Sequence, residues 1–234
     1  MSGGPVAVVT AASRGIGAAC ARVLAKRGYR LALLARSKDV EVLANELGAV
    51  AVEGSVTDPA ALDRVVAAAM EAHGRIDALV NNTGHPAKGD LLALSDDDWR
   101  GGVDLLLLPV VRLARLVTPI LQKQGGGAIV NVSSLWAVEP HLDAPVSSTL
   151  RAALSAFTKL YADAHAKAHI RMNNLLPGFI DSYPEDAALR SAIPMGRYGS
   201  VAEIAKTTAF LVSDDASYLT GQNIRVDGGL TRSI

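Results

Sequence analysis

Short apolar runs rich in β-branched residues alternate with longer segments of helical period along most of this chain. Few folds accept that pattern. Residues 6–9 (Val-Ala-Val-Val) read as a buried strand, and residues 15–27 as a helix with Ile16, Cys20, Val23 and Leu24 on one face and Gly28 as its stop. The alternation continues with a strand at 30–35, a helix at 39–47, a strand at 49–53 and a helix from Asp58-Pro59, a cap followed by proline at the first helical position, to about His73. Residues 76–80 form the next expected strand. Ser95, with Asp98 three residues on, opens one long helix through Trp99, Val103 and Leu106 that the Gly125-Gly126-Gly127 run ends. Strands at 128–132, 170–176 and 222–226 then enclose helices at 148–166 and from Ser200 and Glu203 to about Val212. Repeated strand-helix-strand units predict a parallel sheet covered on both faces, and right-handed crossovers make it a doubly wound, three-layer α/β/α fold. No linker or repeat divides the chain, so residues 1–234 are expected to form one domain. The least regular stretch, 178–199, is a candidate lid.

Composition narrows the function classes. Basic and acidic residues balance at 23 each, so the overall charge makes no case for nucleic acid or an anionic membrane surface. One cysteine, Cys20, permits neither an intrachain disulfide nor a cysteine-based zinc cage, and no metal site is expected. No apolar run approaches the ~20 residues of a membrane span, and Met1-Ser2-Gly3-Gly4-Pro5 lacks the features of a secretory leader. A cytoplasmic protein is the expectation.

The first strand runs into Thr10-Ala11-Ala12-Ser13-Arg14-Gly15-Ile16-Gly17, which opens the first helix. Gly15 allows a backbone to approach a pyrophosphate, and Gly17 allows the helix to pack closely on the strand. The helix N-terminus brings free N–H groups and positive potential to anionic oxygens. Strand two ends Ala35-Arg36-Ser37-Lys38, with no acid before Asp39. Cations at that place suit a ribose 2′-phosphate better than a free 2′-hydroxyl, and Arg14 can flank the same group. The expected cofactor is therefore NADP(H), with NAD(H) also possible.

These motifs resemble the short-chain dehydrogenase/reductase family, whose turn reads Thr-Gly-x-x-x-Gly-x-Gly. Ala11 stands at the first glycine, which its methyl group tolerates only outside a glycine-only backbone region. The resemblance continues through Asn81-Asn82-Thr83-Gly84, Asn131-Val132-Ser133-Ser134, Pro177-Gly178-Phe179-Ile180, Tyr218-Leu219-Thr220-Gly221 and Val226-Asp227-Gly228-Gly229. It implies a Rossmann-type fold and a cofactor site built from Thr10, Ser13, Arg14, Gly15, Ile16, Gly17, Arg36, Ser37, Ser55, Val56, Asn82, Gly84, Arg151, Pro177, Gly178 and Ile180. Ser55-Val56 takes the place where the family often has an adenine-binding aspartate. A homodimer or homotetramer built on the long helices is also implied.

The resemblance fails at the proton-transfer pair. The family uses a tyrosine and, four residues on, a lysine; alignment from Ser134 puts Ser147 and Arg151 there. Asp104 falls where an asparagine usually stands. Ser134 alone matches. The implied catalytic set is Ser134, Ser147, Arg151 and Asp104, with an Asp104–Arg151 ion pair expected to fix the guanidinium. Arginine stays cationic and cannot relay a proton, and an aliphatic hydroxyl is a far weaker acid than a phenol. His141, His85 and Tyr183 are the candidate substitute acids; Trp136, Val138, Leu142 and Phe179 suggest a mixed substrate pocket. The leading reading is an oxidoreductase interconverting a small carbonyl compound and its alcohol. The rivals are a non-catalytic dinucleotide sensor or structural subunit, and a proton-transfer or elimination enzyme using its cofactor only structurally.

Overall fold

The computed structural model describes residues 3–233; the N-terminal reading at Met1 and Ser2 lies outside them. Seven parallel strands form one sheet: β1 (Val6–Thr10), β2 (Arg30–Ala35), β3 (Val50–Glu53), β4 (Ala78–Asn81), β5 (Gly127–Val132), β6 (Ile170–Pro177) and β7 (Asn223–Val226). Their order is β3-β2-β1-β4-β5-β6-β7, the doubly wound topology expected from the alternation. The switch in strand order lies between β1 and β4, where chain leaves the sheet in opposite directions and opens a crevice at the carboxyl ends.

Strand alternation divides the core into two layers. Ala7 and Val9 of β1, with Leu31 and Leu33 of β2, pack under α1 (Gly15–Lys26), α2 (Asp39–Leu47) and α8 (Val201–Leu211). Val8, Ala32 and Leu34, one residue out of phase, pack under α3 (Pro59–His73), α5 (Leu108–Gln124) and α6 (Pro145–His165). Both faces are covered, so the strands are apolar throughout rather than alternating. Cys20 is wholly buried in the first layer, and burial pushes its thiol up to about 12, which makes it inert packing.

The expected caps form. Asp58 accepts from the Ala60 amide, and Ser95–Asp98 and Ser200–Glu203 are both reciprocal capping boxes. The expected long helix from Ser95 is instead two, α4 (Asp96–Leu106) and α5, broken at Leu107. Pro109 has no N–H to give Leu105, and the freed Leu105 carbonyl accepts the Thr83 hydroxyl at 3.3 Å. β4 begins two residues later than expected because the Ile76 amide donates to the Gln124 side chain instead of joining the ladder. The irregular stretch after β6 carries one short helix, α7 (Ala187–Ala192), and is pinned at its base by a bridge between Ile180 and Gly199.

Candidate active site

Two glycines, Gly15 and Gly17, shape the turn between β1 and α1. Gly15 has φ +56°, in the left-handed region, and a Cβ built on Gly17 would lie 2.2 Å from the Ala11 carbonyl oxygen. Ala11 itself has φ +46°, so its backbone does sit where glycine is favoured, and its methyl group is accepted at a cost rather than free of strain. The Thr10 hydroxyl donates to the Asn82 carbonyl at 2.7 Å and accepts from the Asn82 amide, which ties the ends of β1 and β4 together. Arg14 occupies the position before α1 in an extended conformation, and no side chain caps the helix. The first amides of α1 therefore keep their donors for a ligand. Ser13 and Ile16 are half-buried in the same turn.

Arg14, Arg36 and Lys38 are exposed at the ends of β1 and β2, and none pairs with a carboxylate among the described residues. Ser37 is turned toward Asp39, donating to its carboxylate at 2.7 Å. Ser55 bonds Thr57, and Val56 is buried below them. Gly84 has open space above it. Pro177 ends β6, while Gly178 meets the backbone of Asp227, where a Cβ would come within 2.8 Å. The Ile180 side chain is buried in the first core layer, so only its backbone can face a ligand.

Ser147 and Arg151 meet each other at the carboxyl end of β5, where Arg151 reaches Val132, and Ser134 follows two residues after that strand end. Ser134 is half-buried and its hydroxyl accepts from the Trp136 amide. Ser147 and Arg151 lie one turn apart on the buried face of α6. Arg151, only 5% exposed, donates from Nε to the Ser147 hydroxyl and from Nη1 to the Val132 carbonyl, each at 3.1 Å. Burial alone pushes its pKa down to about 10, so it remains cationic at neutral pH while lacking any counter-ion among the described residues.

The expected Asp104–Arg151 pair does not form. Gly102 and Leu106 carry α4 onto α6: a Cβ at Gly102 would press on Val146 and Leu150. A residue two positions from each lies on the far side of the helix. Asp104 is half exposed and faces Arg112 of α5 at 4.0 Å.

A feature not anticipated from the sequence lies beneath this cluster. Asn81, Asn131, Asn174 and Asn223 stand in register on β4 to β7 and link their amides in a row, with Thr158 of α6 joined to the middle pair. The signal was an asparagine near the carboxyl end of successive strands. At one end the Asn81 Oδ1 is buried without a partner, beside a cavity of about 20 Å³ that Thr10, Asn131 and Arg151 also line. That volume suits a single water molecule with polar neighbours.

The substitute acids separate in space. His141 stacks on Trp136, their rings 5.8 Å apart, and turns its Nδ1 to Asp143. His85, just past the end of β4, meets the ring of Tyr183 edge to face at 5.2 Å. Partial desolvation, then the charges of Arg151 and Lys88, hold the His85 pKa below its ordinary value. His85 is thus neutral at pH 7 and shares an electrostatic environment with Arg151.

Comparison with known proteins agrees with this geometry. Residues 10–231 match the family model described as enoyl-(acyl carrier protein) reductase. The chain is 36% identical to oxidoreductase UcpA of Salmonella typhimurium, covering 97% of this chain and 95% of that one. It is 33% identical to the 3-oxoacyl-[acyl-carrier-protein] reductase FabG of Escherichia coli, covering 97% of each. Among solved structures, L-sorbose reductase from Gluconobacter frateurii, complexed with NADPH and L-sorbose, superposes with a TM-score of 0.91 at 32% identity over 99% of this chain and 98% of that one. YwfH, an NADPH-dependent reductase involved in bacilysin biosynthesis, gives 0.93 at 27% identity over 98% and 99%. This chain belongs to the short-chain dehydrogenase/reductase family of oxidoreductases.

Proposed function

We propose that this chain is a single-domain, NADP(H)-preferring oxidoreductase that interconverts a carbonyl and an alcohol from a rebuilt active centre. One observation carries the reading: the uncapped start of α1 opens beside three cations, Arg14, Arg36 and Lys38, that have no carboxylate partner. That donor set fits a dinucleotide with an added phosphate on its ribose. The relatives support the choice, since the L-sorbose reductase structure contains NADPH and YwfH is NADPH-dependent.

When bound, the reduced dinucleotide supplies a hydride. The chain's own groups bind and orient. Amides of Gly15 and Ile16 hold phosphate oxygens, Arg14 and Arg36 neutralise the 2′-phosphate, and Ser55 and Val56 border the adenine. Asn82, Gly84, Pro177, Gly178 and Ile180 shape the remainder of the groove largely through backbone. Ser147 and Arg151 take the family's tyrosine and lysine places. Arg151 preserves a positive charge there and cannot pass a proton on. Ser147 already accepts a bond from Arg151 and is a poor acid. Ser134, partly open, is the hydroxyl best placed to polarise a carbonyl.

Calorimetry with NADPH and NADH, followed by single-turnover absorbance against a panel of carbonyl compounds, tests the reading. Tight binding of NADPH with hydride transfer is expected. Tight binding with no transfer to any substrate would instead assign a non-catalytic, dinucleotide-binding role. The reading extends to a cytoplasmic homodimer or homotetramer; the exposed Leu160 on α6 supports association, and no helix among the described residues is long and apolar enough to cross a membrane.

A further inference from the structure

We propose that Tyr183 supplies the proton that α6 no longer can, and that His85 positions its ring and restores that proton. This rests on the reductase reading above and names the missing acid of that site.

The five tyrosines of the chain can be sorted by where their hydroxyls stand. Tyr29 precedes β2, at the amino end of the sheet, and reaches the Val212 carbonyl. Tyr161 is buried and bonded to Thr118. Tyr198 accepts the Asp186 amide and stacks on Phe179. Tyr218 is fully exposed before β7, again at the amino end of the strands. Tyr183 alone combines a position at the carboxyl ends with a hydroxyl that bonds no group among the described residues, and it is 48% exposed.

Its placement is set by backbone. Asp181 donates to the Gly199 carbonyl and Gly199 to the Phe179 carbonyl, both at 2.9 Å, and the Tyr183 amide closes a turn onto Ile180. The Asp181 carboxylate accepts the Val201 amide, which fixes the turn to the start of α8. Next door, Ser182 lies against the phosphate turn, its Cβ 3.9 Å from a Cβ built on Gly15. The segment therefore reaches from the phosphate turn toward the end of β4 and delivers the phenol to His85. Tyr183, Arg151 and Lys88 are the titratable or charged groups that face the His85 ring.

The step balances. The carbonyl carbon takes a hydride from the reduced dinucleotide, the carbon–oxygen π bond opens onto oxygen, and the Tyr183 O–H breaks as the alcohol O–H forms. The carbonyl is reduced and the dinucleotide oxidised. His85 returns a proton taken from solvent to the phenolate.

The test uses the full chain, with Tyr183→Phe, Tyr183→Leu and His85→Gln. In the protein without dinucleotide, proton NMR follows the imidazole resonances: Tyr183→Leu should shift the His85 ring-proton signals, because it removes the ring current of a phenol 5.2 Å away. Unmoved His85 signals mean the rings do not meet in solution and overturn the proposal. Single-turnover reduction by Tyr183→Phe should then fall by about 100-fold with dinucleotide affinity unchanged. His85→Gln should lower kcat at constant KM and remove the inflection that imidazole titration puts into the wild-type pH profile. Wild-type turnover with Tyr183→Phe equally fast refutes the proton role and leaves the reductase reading standing. Absence of turnover in wild type, with dinucleotide bound, refutes both.

Discussion

Replacing Gly17 with alanine tests whether the phosphate turn depends on close backbone approach. The new Cβ would meet the Ala11 carbonyl oxygen at 2.2 Å, the Ala11 carbonyl carbon at 2.9 Å and the Asn82 Nδ2 at 2.8 Å. Reaching even a 3.0 Å contact requires the carbonyl to retreat by about 0.8 Å. It has little freedom to do so. Asn82 Nδ2 donates to that oxygen, and the next amide, of Ala12, is tied to the Leu34 carbonyl at 3.1 Å. Overpacking of this kind costs roughly 1–3 kcal/mol, and because the obstacle is backbone the upper half of that range applies. Alanine's better helix propensity returns about 1 kcal/mol. The net loss is about 1–2 kcal/mol, or a Tm lower by roughly 2–8 °C at this chain length. Gly101→Ala is the matched control: it lies exposed within α4 with nothing within 4 Å of its added Cβ. The same chemical change there should stabilise by about 0.5–1 kcal/mol. Differential scanning calorimetry reads both signs, and titration with NADPH should show weaker binding for Gly17→Ala alone. A Gly17→Ala protein as stable as wild type, binding dinucleotide equally well, would refute the reasoning about the turn.

Ala11→Gly should stabilise by about 0.5–1 kcal/mol in urea unfolding, since the left-handed strain of an alanine exceeds the added freedom of the unfolded chain. Arg36→Ala should weaken NADPH binding by about tenfold, one lost charge-assisted contact, with NADH affinity nearly unchanged, as measured by calorimetry. Ser147→Tyr with Arg151→Lys should raise carbonyl reduction in single-turnover assays; a loss of native activity would mark the present centre as specialised. Glu203, hydrogen-bonded to Arg197 and the Ser200 amide, has its pKa lowered from 4.5 to about 2. Its contribution to stability is therefore complete above pH 4.5 and lost as pH falls toward 2, and acid unfolding of Arg197→Gln should show a weaker dependence across that window.

What could be read from the sequence was what local chemistry decides. Asp58-Pro59, Ser95 with Asp98 and Ser200 with Glu203 each specify a helix start within four residues, and each helix starts there. Strand alternation assigned the sheet for the same reason. The break at Leu107 escaped because apolar residues keep helical spacing through it, while Pro109 interrupts the hydrogen-bond ladder rather than the pattern. Asp104 was misplaced because its alignment position was clear but its face was not: the tight seat of Gly102 on α6 turns it away. The asparagine row depends on strand register, and the His85–Tyr183 contact joins segments nearly 100 residues apart, so neither follows from local spacing.

The distribution of unpaired charge links these findings to the proposed function. The chain as a whole is neutral, yet Arg14, Arg36, Lys38 and Arg151 have no carboxylate partner among the described residues, and all four gather at the carboxyl ends of the strands or below them. Several arginines elsewhere do meet a carboxylate, as at Arg22–Glu46, Arg75–Asp77 and Arg197–Glu203. For Arg151 the imbalance is costly: a pKa held near 10 instead of 12.5 corresponds to about 3 kcal/mol of unfavourable burial, set against two hydrogen bonds. A fold maximising only its own stability would place an acid beside that guanidinium, and α4 turns Asp104 the other way. A polyanionic ligand in the groove would be attracted by this uncompensated charge, and its binding to the folded form would recover stability by mass action. The expected signature is a rise in Tm with NADPH that shrinks in Arg151→Met, because part of the stabilisation comes from relieving an unpaired charge that the variant no longer carries. An equal rise in both proteins would mean that Arg151 serves the fold alone.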